Sequence, residues 1–206
     1  MPPFRKVQSS IVDKSVLTFD VASCESLLLH TRDGDQYELF LFSADQTHRT
    51  AVDFEADFVQ YVEETYVLVS ENAQSQSEVL YLNLEGKVIH RFACGNNISD
   101  VKAVALDEIW IAYNDAGIHD GFPYGLYCYD RQGKVRFHYA APQPLQGMVD
   151  ALDLNVQGKN ILFSYFAVKD QPTYYLVSLA LASGTVRVEQ YWELNTFGES
   201  GFALSA

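Results

Sequence analysis

The chain has 206 residues, 48% of them apolar and 14% aromatic, enough for a domain that buries a sizeable core. Its 27 acidic residues against 14 basic ones leave a formal charge of −13, spread along the whole length and not confined to a tail. A field of that sign repels phosphate backbones and anionic headgroups, which argues against nucleic acid and membrane surfaces and for cationic peptides, basic protein faces or divalent metals.

In chain order, residues 1–14 are a lead-in with one short strand expected at 10–12. A first repeat is expected over 15–54, with strands at 16–21, 27–31, 37–42 and 49–54. Asp33-Gly34-Asp35 between alternating runs is a hairpin signal. A second repeat, 57–92, places the turn Glu63-Glu64 after its first strand and a polar loop, 71–77, between its second and third. The third, 100–140, is the most regular. It holds an alternating run at 101–106, the turn Asp107-Glu108, the strand Ile109-Trp110-Ile111-Ala112-Tyr113 and a Gly-rich loop at 114–124. A third strand, the turn Arg131-Gln132-Gly133-Lys134 and a strand at 135–139 follow. The fourth, 150–192, comes after the strand-breaking Pro142-Gln143-Pro144. Residues 193–206 resemble the start of a further strand.

Asp57, Asp100 and Asp150 mark these repeats 43 and 50 residues apart. One four-stranded sheet per repeat of that length is the signature of a β-propeller blade. The fold class is therefore all-β, a propeller of four-stranded antiparallel blades, about four blades plus a stub, in a single domain over 1–206. Three arrangements of the ends stay open: part of a six- to eight-bladed ring, a small ring closed by the terminal strands, or an open array. No helix of ordinary length is expected, because no run sustains a 3.6-residue period.

The run Ile109–Tyr113, followed by Gly125-Leu126-Tyr127-Cys128-Tyr129-Asp130-Arg131-Gln132-Gly133-Lys134, resembles the blade motif of bacterial propeller proteins of the NHL and quinoprotein-like kind. The Gly-His and Trp-Asp dipeptides of WD repeats are missing in register. The resemblance implies an architecture and leaves activity open, since propellers host binding proteins and enzymes alike.

Two groups of side chains stand out as a candidate ligand or cation face. Asp57, Asp100 and Asp150, each at the start of an inner strand, are expected at one rim of the channel. They form either an acidic mouth or a set of turn-capping carboxylates. Asp115, His119 and Asp120 fall within six positions in the third loop, where they offer metal donors or an acid–base pair, or simply a solvated loop. The alternating acids of a calcium loop are not there. Tyr113, Phe122, Tyr124, Tyr165, Phe166 and Tyr174 sit at strand ends, as a contact surface or as packing between blades. His90 and His138 occupy equivalent outer-strand positions.

Serine-nucleophile and phosphate-cradling motifs are absent, the segment 198–201 only approximating the former. The expected function is a non-enzymatic propeller-type binding or scaffold protein that engages a protein or peptide on an acidic, aromatic-edged face, with no cofactor. The alternative is a metal-dependent hydrolase or lactonase using a divalent cation such as calcium. No run spans a bilayer, Met1–Lys6 lacks the apolar core of a leader, and Cys24, Cys94 and Cys128 show no CxxC spacing; together these point to the cytoplasm, unless a leader precedes the sequence.

Overall fold

The computed structural model describes residues 15–23, 26–43, 46–70, 76–157, 160–168, 171–182 and 185–194. The strand expected at 10–12, the stub after residue 194, Cys24, the segment 198–201 and most of the 71–77 loop lie outside them. Among the described residues, sixteen strands form four antiparallel sheets, each a meander in chain order. Blade 1 comprises β1 (Ser15–Ser23), β2 (Ser26–Asp33), β3 (Gln36–Phe42) and β4 (Thr47–Val52). Blade 2 holds β5 (Phe58–Val62), β6 (Thr65–Ser70), β7 (Glu78–Leu82) and β8 (Val88–Ala93). Blade 3 holds β9 (Ile98–Ala105), β10 (Glu108–Tyr113), β11 (Leu126–Tyr129) and β12 (Val135–His138). Blade 4 holds β13 (Met148–Gln157), β14 (Asn160–Val168), β15 (Pro172–Ala182) and β16 (Thr185–Leu194).

The first strands β1, β5, β9 and β13 lie side by side in that order, as the inner strands of a propeller do. Among the described residues no comparable packing joins β13 back to β1.

The central strands of the middle blades are buried on both faces, so they read as continuous apolar runs and not as alternation. In β6, Leu68 faces blade 1 with Leu28 and Leu39, beside Val59 of its own blade, while Val67 and Val69 face blade 3 with Ile109, Ile111 and Tyr113. In β10, Ile109 and Ile111 point back toward blade 2. Trp110 and Ala112 point forward to Phe163, Tyr165 and Val177 of blade 4. Three stacked apolar layers result, one per joint. The outermost strands are more open: β8 is exposed at Ile89, Arg91 and Ala93, and β12 at Val135, Arg136 and His138.

Turns fix the geometry. Val62 pairs with Thr65, so Glu63 and Glu64 close a two-residue hairpin with φ of +47° and +57°, values usually left to Asn-Gly. The turns between third and fourth strands repeat in blades 2 and 3. The Asn83 side chain accepts from Lys87 N–H, and the Asp130 side chain from Gln132 and Lys134 N–H. In each, a glycine with φ near +80° rests on the last strand of the preceding blade. A Cβ on Gly86 would lie 2.6 Å from Thr50 Cγ2, and one on Gly133 2.7 Å from Phe92 Cβ. His90 and His138 are equivalent as expected, paired opposite Tyr81 and Tyr127.

Gly133→Ala meets both a left-handed φ and Phe92, and is expected to cost about 1–3 kcal/mol in denaturant unfolding. Gly34, at φ +61° with nothing within 4 Å of where a Cβ would stand, carries only the conformational penalty. Gly34→Ala should therefore shift the midpoint less than Gly133→Ala.

Candidate functional site

Antiparallel alternation brings the start of each inner strand, the loop between second and third strands, and the linker from the preceding blade to one end of the sheets. The loops there differ in length: 34–35, 71–77, 114–125 and 169–171. The longest is built on a knot in the linker between blades 2 and 3. Asn97, at φ +63°, accepts from Asn114 N–H through its carbonyl, and Asn96 Oδ1 accepts from Ser77 N–H and Oγ–H at 2.7 and 2.8 Å. Phe122 lies over Gly95, where a Cβ would be 2.2 Å from the ring, and stacks on Tyr113 at 4.1 Å.

On this base sits a single helical turn, α1 (Asp115–His119), where the sequence leads one to expect an irregular loop. Asn114 caps it by accepting from Gly117 N–H, and Asp115 accepts from Ala116 N–H in the first turn. Gly117 is buried because its Cα faces Asn97 O, 2.9 Å from where a Cβ would stand. Five residues are too few to show a helical period in sequence.

The six nominated side chains part ways. Asp57 is exposed immediately before β5, with its own N–H donated to Val69 O at 2.8 Å. Asp115, His119 and Asp120 are exposed on α1 and its C-cap. Asp100 is withdrawn from the surface: Oδ1 accepts from Val101 N–H and Oδ2 from Leu154 N–H, both at 2.7 Å, the second across the joint to blade 4. Burial pushes its carboxyl above the usual range, against the pull of Lys102 and those two amides. Asp150 lies half-buried in β13. Burial and then the nearby Asp115 carboxylate raise it, while the Asp115 backbone N–H pulls the other way. Its Oδ1 has no hydrogen-bond partner among the described residues.

The three repeat aspartates thus differ in register. Inner strands β9 and β13 begin two residues ahead of Asp100 and Asp150, with bulges at Tyr113 and after Met148, whereas β5 begins after Asp57. No group of three His, Cys, Asp or Glu among the described residues is placed to hold a metal ion.

The aromatic residues also divide. Tyr113 and Tyr165 are fully buried between blades, and Phe166 pairs with Tyr174 at 4.9 Å. Tyr124 is 40% exposed and stacks on His138 at 3.9 Å, forming an outward ledge beside Pro123.

The residues that join the blades escape a motif reading. Asp20 Oδ2 accepts from Tyr61 N–H and Gln60 Oε1 from Ala103 N–H, both at 3.4 Å. Among the described residues each of the three joints therefore has an inner-strand acceptor, with the Asp100 contact the shortest. Each linker is also clamped. Tyr113 Oη–H donates to Cys94 O, Tyr165 Oη–H donates to Leu145 O at 2.7 Å, and His30 Nδ1 bonds Ala56 O at 3.2 Å. Tyr113 and Tyr165, each late in the second strand of its repeat, are the signal a sequence search could have used.

No family model matches the chain, and no curated protein matches it. Among solved structures, a protein of unknown function from Bacteroides caccae is similar at 9% identity and a TM-score of 0.51, over 87% of this chain and 61% of that one. The WD40 domain of SCAP from fission yeast gives 10% and 0.48, over 82% and 49%. An uncharacterized protein from Listeria monocytogenes gives 10% and 0.41, over 87% and 65%. The chain spans less than two thirds of each of these structures, and the likeness to the Bacteroides protein bears on fold alone.

Asp100→Ala leaves the amides of Val101 and Leu154 without an acceptor and is expected to cost about 1–3 kcal/mol. Asp100→Asn keeps a carbonyl oxygen for Leu154 and removes the buried charge, so it should retain most of the stability. Thermal or denaturant midpoints of the two variants check the ordering.

Proposed function

We propose that this chain is a non-enzymatic propeller-type binding or scaffold protein, a single domain over residues 1–206, that engages a protein or peptide ligand at its long-loop end. The observation that carries this reading is the exposed set on the third loop: Asp115 and Asp120 on α1 and its cap, with the Tyr124 and His138 ledge on the same blade. Carboxylates and a partly exposed ring on one loop suit lysine or arginine, which pair with the one and stack on the other. The charge of −13 draws such a segment in from solution.

Kinship with NHL and quinoprotein-like blades belongs to this reading and rests on the Asp130–Lys134 turn. So does a place in a bacterial cytoplasm, which rests on the buried free thiols of Cys94 and Cys128. No helix among the described residues is long and apolar enough to cross a membrane. The metal-dependent hydrolase has in its support only the approach of Asp115 to Asp150, two carboxylates without a third donor among the described residues.

A fluorescent Lys/Arg-rich peptide of about ten residues, titrated with the protein, tests the proposal. Binding should weaken as salt is raised. Asp115→Asn with Asp120→Asn, or Tyr124→Ala, should each weaken it by about two- to fivefold. Equal affinity for a Glu-rich peptide of the same length, or indifference to all three substitutions, would overturn it.

A further inference from the structure

We propose that the joint between blades 1 and 2 carries an acid-sensitive latch, His30, whose protonation loosens blade 1 while the other two joints stay closed.

The three linkers are clamped alike in geometry and differently in chemistry. Phenol hydroxyls of Tyr113 and Tyr165 hold Cys94 O and Leu145 O, and neither group changes charge in acid. At the first joint the clamp is an imidazole on β2. His30 is 0% exposed, and its Nδ1 lies 3.2 Å from Ala56 O. A carbonyl only accepts, so Nδ1 carries the hydrogen and Nε2 is bare. That Nε2 is buried and has no partner among the described residues. Protonation therefore adds a charge to a fully buried ring whose Nε2 makes no hydrogen bond among the described residues, and a charge so buried destabilises the closed joint.

The ionisable groups around the ring do not remove that cost. From the linker come Glu55 and Asp57, both exposed. Glu55 is already engaged, receiving the Tyr37 hydroxyl at 3.0 Å and lying 3.9 Å from Arg32, on the same strand as His30. From β3 come Tyr37, its ring 5.8 Å away, and Glu38, which is bound by Arg49. From β1 comes Asp20, turned to the Tyr61 amide, and β5 brings no ionisable group except the Tyr61 phenol. Burial holds His30 below its ordinary value, opposed by the Ala56 bond, by Glu55 and Asp57, and by the Phe54 backbone.

The sign follows from linkage. In the closed joint His30 is neutral, and in the opened joint it returns to water with a value near 6.5. The opened state binds the extra proton, so opening is favoured as pH falls through about 6.5 and levels off once the closed-state value is passed. One proton sets the ceiling, about a tenfold rise in the opening equilibrium from about pH 7.5 to 5.5.

Amide hydrogen exchange on the full chain at those two pH values, corrected for intrinsic rates, reads the effect by region. Amides of β1 to β4 and of residues 53–57 should open up to about tenfold more at the lower pH, while those of β9 to β15 keep their protection. His30→Gln offers Ala56 an N–H that does not titrate, and should abolish the difference. A uniform change in all four blades, or a blade 1 response that survives in His30→Gln, would overturn the latch. If that variant does not fold, the wild-type contrast between blade 1 and blades 3 and 4 decides alone.

Discussion

Blades in this chain are held together at the axis by a polar side chain on one inner strand that takes a backbone N–H from the next. Asp20, Gln60 and Asp100 do this at the three joints. Inner strands of neighbouring blades share no ladder, so their facing amides must find acceptors elsewhere. Side chains supply them, and an apolar layer fills each joint. Asp100 has a second task, since its other oxygen anchors its own strand through Val101.

The same use of position explains why the candidate face is where it is. The linkers are tied by Tyr113, Tyr165 and His30 and by the Asn96 and Asn97 contacts, which leaves the third loop a rigid base. On that base α1 and the Tyr124 ledge keep Asp115, His119, Asp120 and Tyr124 at the surface, with Gly117 of the turn buried. Asp57, Asp115 and Asp120 stay at the surface, whereas Asp100 is drawn into the joint between blades 3 and 4.

Much of the fold was legible because its signals are local. Continuous apolar runs such as Ile109 to Tyr113 mark strands buried on both faces, and the Asn83 and Asp130 turns repeat with a glycine in the same place. The face was less legible because its signals are not local. Whether Asp100 meets solvent or Leu154 depends on a partner 54 residues away and on a bulge that shifts register. Asp57 looks identical in the repeat and ends up exposed. The single turn of α1 depends on Asn97, outside its own segment, and Gln60 is an ordinary polar residue until Ala103 stands beside it.

The glycines of the outer turns have a further consequence. Because Gly86 and Gly133 are pressed onto the preceding blade, the turns that hold them, 83–87 and 130–134, have the same length and leave no room for an inserted residue. Loops at the other end range from two residues to twelve while each sheet keeps four strands. Change of length is therefore held down at these two turns and tolerated in the loops opposite.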